Sequence, residues 1–453
     1  MADQSKPDGK RMTRSQALLM TTPLASPLTA PLIVPVTAHK RTVRADARWW
    51  LFGIGILCLA LGYAAGSFFP LISRSAASKS DKLSEIADHV TPLKPGPWGN
   101  LESIPLYIQP PEEYLPVQSV EQSDPAWKFV GYTPSMLSDL FEISGLSADQ
   151  KAELLDQSKW VQSDKGISIT PSQGLLLSLS PHSRQIIYAV LSLIPANAIS
   201  QNRCYIPADK FDEFFAKSGL SREIVAMVRQ LSYPHGRLLF FSDAPLVLSK
   251  LDSYSDKLRL MKVLTRKSTL LLKIHVMPDT DVNALTDYWS KGKWGKEIRP
   301  VLDGLVDVPG GVRIGVGRLF PPRPRNALYT FPYPSLNPAD AKKDCHWTAL
   351  NFFNDPPDDR YLDVNNVKQK LTTDYYPVFS DFRYGDILEL VRPSGEAIHS
   401  CVFVADNIVY TKNSAQATEP CMLMTIPDLL DAFASLVPEN ETLKIIGYRS
   451  KSD

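Results

Sequence analysis

The chain has 453 residues, of which 44% are hydrophobic and 21% charged, a composition typical of a folded protein with roughly two or three domains. Its 49 basic and 48 acidic residues nearly cancel, for a net charge of +1, so composition gives no support for a nucleic-acid partner. The five cysteines show no CxxC spacing. The sequence therefore predicts neither a zinc site nor a disulfide scaffold, and we expect no metal and no cofactor.

The N-terminal part predicts a membrane anchor. Residues 1–48 are first basic and then rich in Pro, Thr and Ala, without an amphipathic period, which predicts a disordered tail. The uncharged run Trp49–Ser73 follows, and as a helix it is long enough to cross a hydrocarbon core of about 30 Å. The long segment before the run favours an uncleaved anchor over a signal peptide. We therefore expect a single-pass transmembrane helix.

Orientation and association follow from residues in and around this run. Basic residues are slightly more frequent before the run than after it, which favours a cytoplasmic N-terminus. The C-terminal domains are then expected in the periplasm or outside the cell. Gly62 and Gly66 form a GxxxG pair, which would let two such helices approach closely. A homodimer is the corresponding expectation.

The next segments are a predicted stalk and a predicted helical domain. Residues 74–125 are rich in Ser and Pro, with little sustained periodicity, and are interpreted as a linker. Residues 126–318 are predicted to form a mainly helical domain of unknown role. Two apolar runs within it, Arg237–Ser242 and Ser268–Val276, fit short buried strands.

A short repeat marks this predicted helical domain. The tetrapeptide SGLS occurs at Ser144–Ser147 and again at Ser218–Ser221, each time between two helical patterns. This recurrence suggests two similar helical hairpins, although two tetrapeptides alone do not demonstrate a repeat.

The last domain is predicted to follow a proline-rich connector at residues 319–338. From residue 339 to residue 453 the pattern predicts an α+β arrangement, with a helix packed on an antiparallel sheet. The expected elements are a helix from Cys345 to about Phe353, a helix near Val364–Leu371, strands at Asp386–Val391, Ala397–Val404 and Ile408–Lys412, a helix near Ile426–Leu436, and a strand at Leu443–Tyr448.

Three residues of this domain suggest nucleophilic catalysis. Cys345 opens the first helix, where free backbone N–H groups favour the thiolate. A cysteine nucleophile also needs a base, usually a histidine that a third polar group orients. His399 begins the central strand and Asn413 ends the next one, so neighbouring antiparallel strands could bring both toward the helix that carries Cys345.

The order of these features resembles a known family. Asp344-Cys345, then Gly385-Asp386, then His399 at the start of an apolar strand, and finally a strand with a polar end resemble the NlpC-type papain-like cysteine peptidases. The resemblance implies that Cys345 is the nucleophile, His399 the base and Asn413 the orienting residue. It also implies hydrolysis of amide bonds in bacterial cell-wall peptides. The chain departs from the family pattern where His346 follows the cysteine, since a small residue is usual there.

The sequence leaves the identity of two of these residues open. His346 competes with His399 as the base, although adjacent helical residues point in different directions. Lys412 or Thr411 could face inward in place of Asn413, which as a strand-end residue is more often a turn former.

The expected function is a membrane-anchored cysteine hydrolase of the peptidase or amidase type. It would cleave or transfer an amide or acyl bond, with peptidoglycan or another envelope peptide as the substrate. One alternative is a non-catalytic scaffold with a decayed papain-like domain, in which Cys345 is an ordinary buried thiol. The other is an envelope protein whose residues 126–318 bind partners.

Overall fold

The computed structural model describes residues 90–452, apart from residues 202, 292–294, 334–336, 338 and 435–440. The predicted tail and the predicted membrane run Trp49–Ser73 lie outside these residues. Within the described part of the chain, no helix combines the length and the apolar character that a membrane crossing requires.

The first part of the described chain contains five short strands and five helices. The strands are β1 (Thr91–Pro92), β2 (Asn100–Ile108), β3 (Trp127–Val130), β4 (Val161–Ser163) and β5 (Gly166–Ile169). The helices are α1 (Val117–Glu121), α2 (Pro134–Ile143), α3 (Ala148–Leu154), α4 (Gln173–Ser178) and α5 (Pro181–Ser192). Strand β2 lies in the segment that the sequence suggested as a linker, so that segment is partly folded.

The second part extends to residue 315 and again mixes strands with helices. Its helices are α6 (Ala198–Gln201), α7 (Phe211–Phe215), α8 (Arg222–Leu231), α9 (Ala244–Leu248), α10 (Tyr254–Thr265), α11 (Val282–Trp289) and α12 (Gly295–Val306). Its strands are β6 (Cys204–Pro207), β7 (Tyr233–His235), β8 (Leu238–Phe241), β9 (Lys267–Val276) and β10 (Val312–Gly315). Strands β8 and β9 confirm the two apolar runs that were expected to be strands.

Two consecutive units share one topology. Strand β3 is followed by α2, α3, β4 and β5, and strand β6 by α7, α8, β7 and β8. The sheet orders, β3-β5-β4 and β6-β8-β7, are equivalent. In both units SGLS forms the turn of the helix pair: its glycine has a positive φ, 66° at Gly145 and 73° at Gly219, and its last serine caps the second helix. The expectation of two similar helical hairpins is confirmed.

A four-stranded sheet connects these units to the rest of the chain. Its order is β1-β2-β9-β10, and β2 pairs with β9 along its whole length, from Asn100 opposite His275 to Ile108 opposite Lys267. The buried side chains of β9, α11 and α12 belong to the same hydrophobic core as those of the C-terminal sheet. The hydroxyl of Thr269 also donates to the carbonyl of Leu423 at 2.9 Å.

The C-terminal region follows a short connecting helix, α13 (Pro322–Ala327), within the segment expected to be extended. Its other helices are α14 (Cys345–Leu350), α15 (Val364–Asp374) and α16 (Ile426–Phe433). Its strands are β11 (Tyr375–Val378), β12 (Ile387–Val391), β13 (Ala397–Ala405), β14 (Ile408–Thr411), β15 (Met422–Thr425) and β16 (Lys444–Ser450). They form one antiparallel sheet in the order β11-β16-β12-β13-β14-β15.

The two faces of this sheet carry different helices. Side chains of α14 share a core with Val402, Val404 and Tyr410 on one face. Leu429 and Phe433 of α16 pack with Cys401, Phe403 and Val409 on the other. Because side chains alternate along a strand, the even-numbered residues between His399 and Val404 of β13 face α14 and the odd-numbered ones face α16.

The predicted fold class is wrong. The described chain is a mixed α/β protein with several antiparallel sheets, and residues 126–318 contain strands β3 to β10 beside their helices. The reason lies in strand length: the six strands from β3 to β8 have three or four residues each, too few for a clear alternating pattern. The helices between them are longer and dominate the sequence signal.

Candidate active site

Contacts around the first turn fix the position of α14. Asp344 is its N-cap, and its Oδ1 accepts a hydrogen bond from the backbone N–H of Trp347 at 3.0 Å. The indole of Trp347 donates to Asp359 at 3.1 Å, and the Arg323 guanidinium lies 4.2 Å from its ring centroid. Residues of the connector and of the next loop therefore hold the helix that carries Cys345.

Three consecutive side chains converge at the start of α14. A carboxylate oxygen of Asp344, the sulfur of Cys345 and a ring nitrogen of His346 all lie within 4.8 Å of one another. Cys345 is buried, whereas Asp344 and His346 are half-buried. The thiol thus has a histidine and a carboxylate as neighbours, and these three residues could together hold a metal ion.

A hydrogen-bonded chain anchors His346 to the sheet. Its Nδ1 lies 2.7 Å from the hydroxyl of Ser400, and that hydroxyl donates to Oε1 of Glu389 at 3.4 Å. If Ser400 donates to Glu389, Ser400 must accept from Nδ1–H of His346, which leaves the lone pair of the neutral ring on Nε2. This is the tautomer that a general base uses when a third group orients it.

Glu389 and Ser400 are directly opposite each other on β12 and β13, and both are buried. Desolvation raises the pKa of Glu389, while the positive charge of His346 and the hydrogen bond from Ser400 lower it. The Glu389 carboxylate therefore interacts with the charge of His346. It would stabilise the imidazole ring once His346 is protonated.

Lys412 brings a buried positive charge to the same region. Only 5% of its side-chain surface is exposed, and its ammonium donates to the carbonyl of Ser414. Burial lowers the pKa of Lys412, and the negative charges that Cys421, Glu419 and Cys345 can carry act in the opposite direction. Lys412 is therefore within electrostatic range of Cys345.

The other two residues expected at the site lie on the opposite face of the sheet. His399 belongs to the odd-numbered set of β13, is fully buried, and packs against Phe433 with ring centroids 4.4 Å apart. Its Nε2 lies 2.8 Å from the hydroxyl of Thr411, which donates to Oδ1 of Asn413 at 3.0 Å. The structure joins His399 to Asn413 through Thr411, and it gives neither a hydrogen bond to Cys345.

Some residues near Cys345 were missed in the sequence. Glu389 lies within the apolar strand ILELV, and a charged residue in such a run was a usable signal for a buried functional carboxylate. Ser400, next to His399 on β13, carries no such signal. His346 and Lys412 were among the alternatives, and both approach Cys345.

The loop that connects β14 to β15 is held from outside the C-terminal region. Glu419 forms an ion pair with Lys267, the first residue of β9. The backbone N–H of Tyr329 donates to the carbonyl of Cys421 at 2.7 Å. Burial lowers the pKa of Lys267, but the charge and hydrogen bond of Glu419 outweigh this and the pKa is raised. The ion pair is therefore favourable, and it fixes the loop that follows Lys412.

Replacing Glu419 by Ala should lower the free energy of unfolding by about 1.5–3 kcal/mol, because it leaves the Lys267 ammonium, only 22% exposed, without its acceptor. Urea unfolding followed by tryptophan fluorescence would measure the loss. Glu112→Ala is the matched control, since the Glu112–Lys262 pair is more exposed, and its effect should stay below about 1 kcal/mol. Equal losses of stability in both variants would contradict a stabilising role for the Glu419–Lys267 ion pair.

Comparisons of the chain with protein-family models, with curated proteins and with solved structures find no match. The resemblance to NlpC-type peptidases therefore stays a prediction.

Proposed function

We propose that the protein is a cysteine hydrolase that cleaves or transfers an amide or related acyl bond, with Cys345 as the nucleophile and His346 as the base. The observation that carries this proposal is the 4.8 Å cluster of Asp344, Cys345 and His346, with His346 anchored through Ser400 to Glu389. A nucleophile, an adjacent base and a group that orients the base are the parts that covalent acyl transfer needs.

The reaction would proceed in two halves. The thiol proton of Cys345 passes to His346, and the sulfur attacks the substrate carbonyl to form a tetrahedral adduct. His346 then returns the proton to the leaving amine or alcohol, and a thioester remains on Cys345. Water or another amine, deprotonated by His346, attacks the thioester and restores the thiol.

Three groups would stabilise charge during these steps. The backbone N–H of Cys345 stands at the first helical position, where it has no acceptor within the helix, and it can donate to a developing oxyanion. The Lys412 ammonium, within electrostatic range of Cys345, would offset negative charge that develops near the sulfur. The carboxylate of Glu389 supports the positive charge on His346 through Ser400.

The two repeated units give no support for nucleic-acid binding as a second function. In the first unit, α3 carries the exposed Asp149 and the half-buried Glu153. In the second, Arg229 on α8 pairs with Asp212, and Arg237 in the turn before β8 pairs with Asp428 and Asp431. A phosphate backbone requires unpaired basic side chains along one face. Membrane location stays a prediction because the run Trp49–Ser73 lies outside the described residues, and an envelope peptide substrate stays one because it depends on the family resemblance alone.

The direct test is acylation of Cys345 by a small activated ester, 4-nitrophenyl acetate, with metal ions removed by a chelator. We expect a burst of nitrophenolate and one acetyl group, mapped by mass spectrometry to Cys345. Cys345→Ser should abolish the burst. Cys421→Ser is the matched control and should retain it, because burial raises the pKa of the Cys421 thiol and keeps it protonated. Acylation elsewhere, or none in the folded chain, would refute the proposal.

A further inference from the structure

We infer that Asp344, Cys345 and His346 also form a zinc-binding site, and that zinc bound there blocks the Cys345 thiol. The binding itself does not depend on catalysis, whereas its inhibitory effect rests on the proposed function. The three residues are consecutive, so CxxC spacing could not have revealed them.

The donor set matches zinc in number and kind. A thiolate, an imidazole and a carboxylate are the three ligand types that zinc takes in proteins. Ligand atoms of a tetrahedral zinc site lie about 3.6 Å apart for bond lengths of about 2.0–2.3 Å. Here they lie within 4.8 Å of one another, so side-chain shifts of about an ångström would complete the geometry.

Asp344 and His346, the residues on either side of Cys345, each keep one side-chain atom that could bind a metal ion. Oδ1 of Asp344 accepts from the backbone of Trp347, which leaves Oδ2. Nδ1 of His346 is engaged with Ser400, which leaves Nε2. A histidine that binds a metal usually donates its other ring N–H to a carboxylate, a carbonyl or water. Here the partner of the ring is Ser400, whose hydroxyl donates in turn to Glu389.

Binding would remove the nucleophile without redox chemistry. Zinc displaces the thiol proton of Cys345, which passes to solvent, and the sulfur lone pair that would attack a carbonyl becomes the metal–sulfur bond. The fourth position is taken by water. Mg²⁺ and Ca²⁺ prefer oxygen ligands throughout, so a site with sulfur and nitrogen discriminates against them.

The binding test uses the metal-free, full-length chain titrated with zinc against a chromophoric chelator. We expect one site per chain that Cys345→Ser and His346→Ala each weaken by more than about 100-fold. Ser400→Ala, which frees the His346 ring, should weaken it by about 10–100-fold. Cys421→Ser is the control and should bind like the unsubstituted chain. Binding unchanged in His346→Ala would overturn the site.

Cobalt substitution supplies a readout that does not depend on folding losses. Co²⁺ in the site should give a sulfur-to-cobalt charge-transfer absorption and the intense visible bands of tetrahedral coordination. Both should persist in Cys421→Ser, and the charge-transfer absorption should vanish in Cys345→Ser. A spectrum without that absorption in the unsubstituted chain would overturn the ligand assignment.

Inhibition is tested by repeating the 4-nitrophenyl acetate burst with zinc present. We expect zinc to suppress the burst at one equivalent and a chelator to restore it. If zinc binds but the metal-free chain shows no burst, the zinc site stands and the proposed function fails. If the burst occurs and zinc does not bind, the inference fails alone. A burst that requires zinc would overturn both the inhibition and the thiol mechanism.

Discussion

Replacing Arg184 by Met should lower the free energy of unfolding by about 3–5 kcal/mol, because it leaves a buried carboxylate without its positively charged partner. Arg184 on α5 is fully buried and forms an ion pair with Asp243, which is 7% exposed at the start of α9. Tyr188 donates to the same carboxylate at 2.6 Å. Arg184 lies on a helix that follows the first repeated unit and Asp243 directly follows the second, so this ion pair joins the segments that come after the two units.

The effect of Arg184→Met should also depend on pH. Burial raises the pKa of Asp243 even with Arg184 present, and the charge of Arg184 opposes that rise. Without the guanidinium the folded-state pKa should rise further above the unfolded value. The stability that protonation of Asp243 supplies is complete below the unfolded pKa and is lost as pH rises through the folded one. The variant should therefore be least impaired in acid.

The matched control is Arg184→Met combined with Asp243→Asn. The amide keeps the shape of the carboxylate, still accepts from Tyr188 and carries no charge to desolvate. We expect the double variant to be more stable than Arg184→Met alone at neutral pH, by about 1–3 kcal/mol in urea unfolding. A double variant less stable than the single one would mean that the buried charge is not the dominant cost.

Part of this fold was accessible from the sequence because its signals are local. Serine caps, the SGLS turns and the apolar runs of β8 and β9 each depend on a few neighbouring residues. The strands that the two units share were harder to predict than their helix pairs, because the strands from β3 to β8 have only three or four residues each.

The assignment of the base illustrates a different limit. Neighbouring residues of a strand point to opposite faces, so the choice between His399 and Ser400 depends on which face α14 covers. Nothing within β13 determines this, because both faces are apolar and buried. The decisive information is the packing of α14 against Val402 and Val404, a contact between residues far apart in the chain.

His346→Ala should lower the rate of Cys345 acylation by about 100-fold or more, since it removes the group proposed to take the thiol proton. The rate is measured as nitrophenolate release from 4-nitrophenyl acetate in metal-free buffer, with circular dichroism to verify folding. Ser400→Ala removes only the partner of Nδ1, and the loss of one hydrogen bond predicts a decrease of about tenfold or less. Glu389→Gln, which keeps the shape and removes the charge, should fall in the same range.

His399→Gln distinguishes the two histidines. His399 packs against Phe433 on the face away from α14, so its replacement should reduce thermal stability and leave the acylation rate of the folded chain largely intact. If His399→Gln abolished acylation while His346→Ala did not, the base would be the histidine that the family resemblance implied. The sheet would then have to present its odd-numbered face to Cys345. Comparing the two variants therefore tests the strand register as well as the chemistry, because a shift of one residue along β13 exchanges the faces.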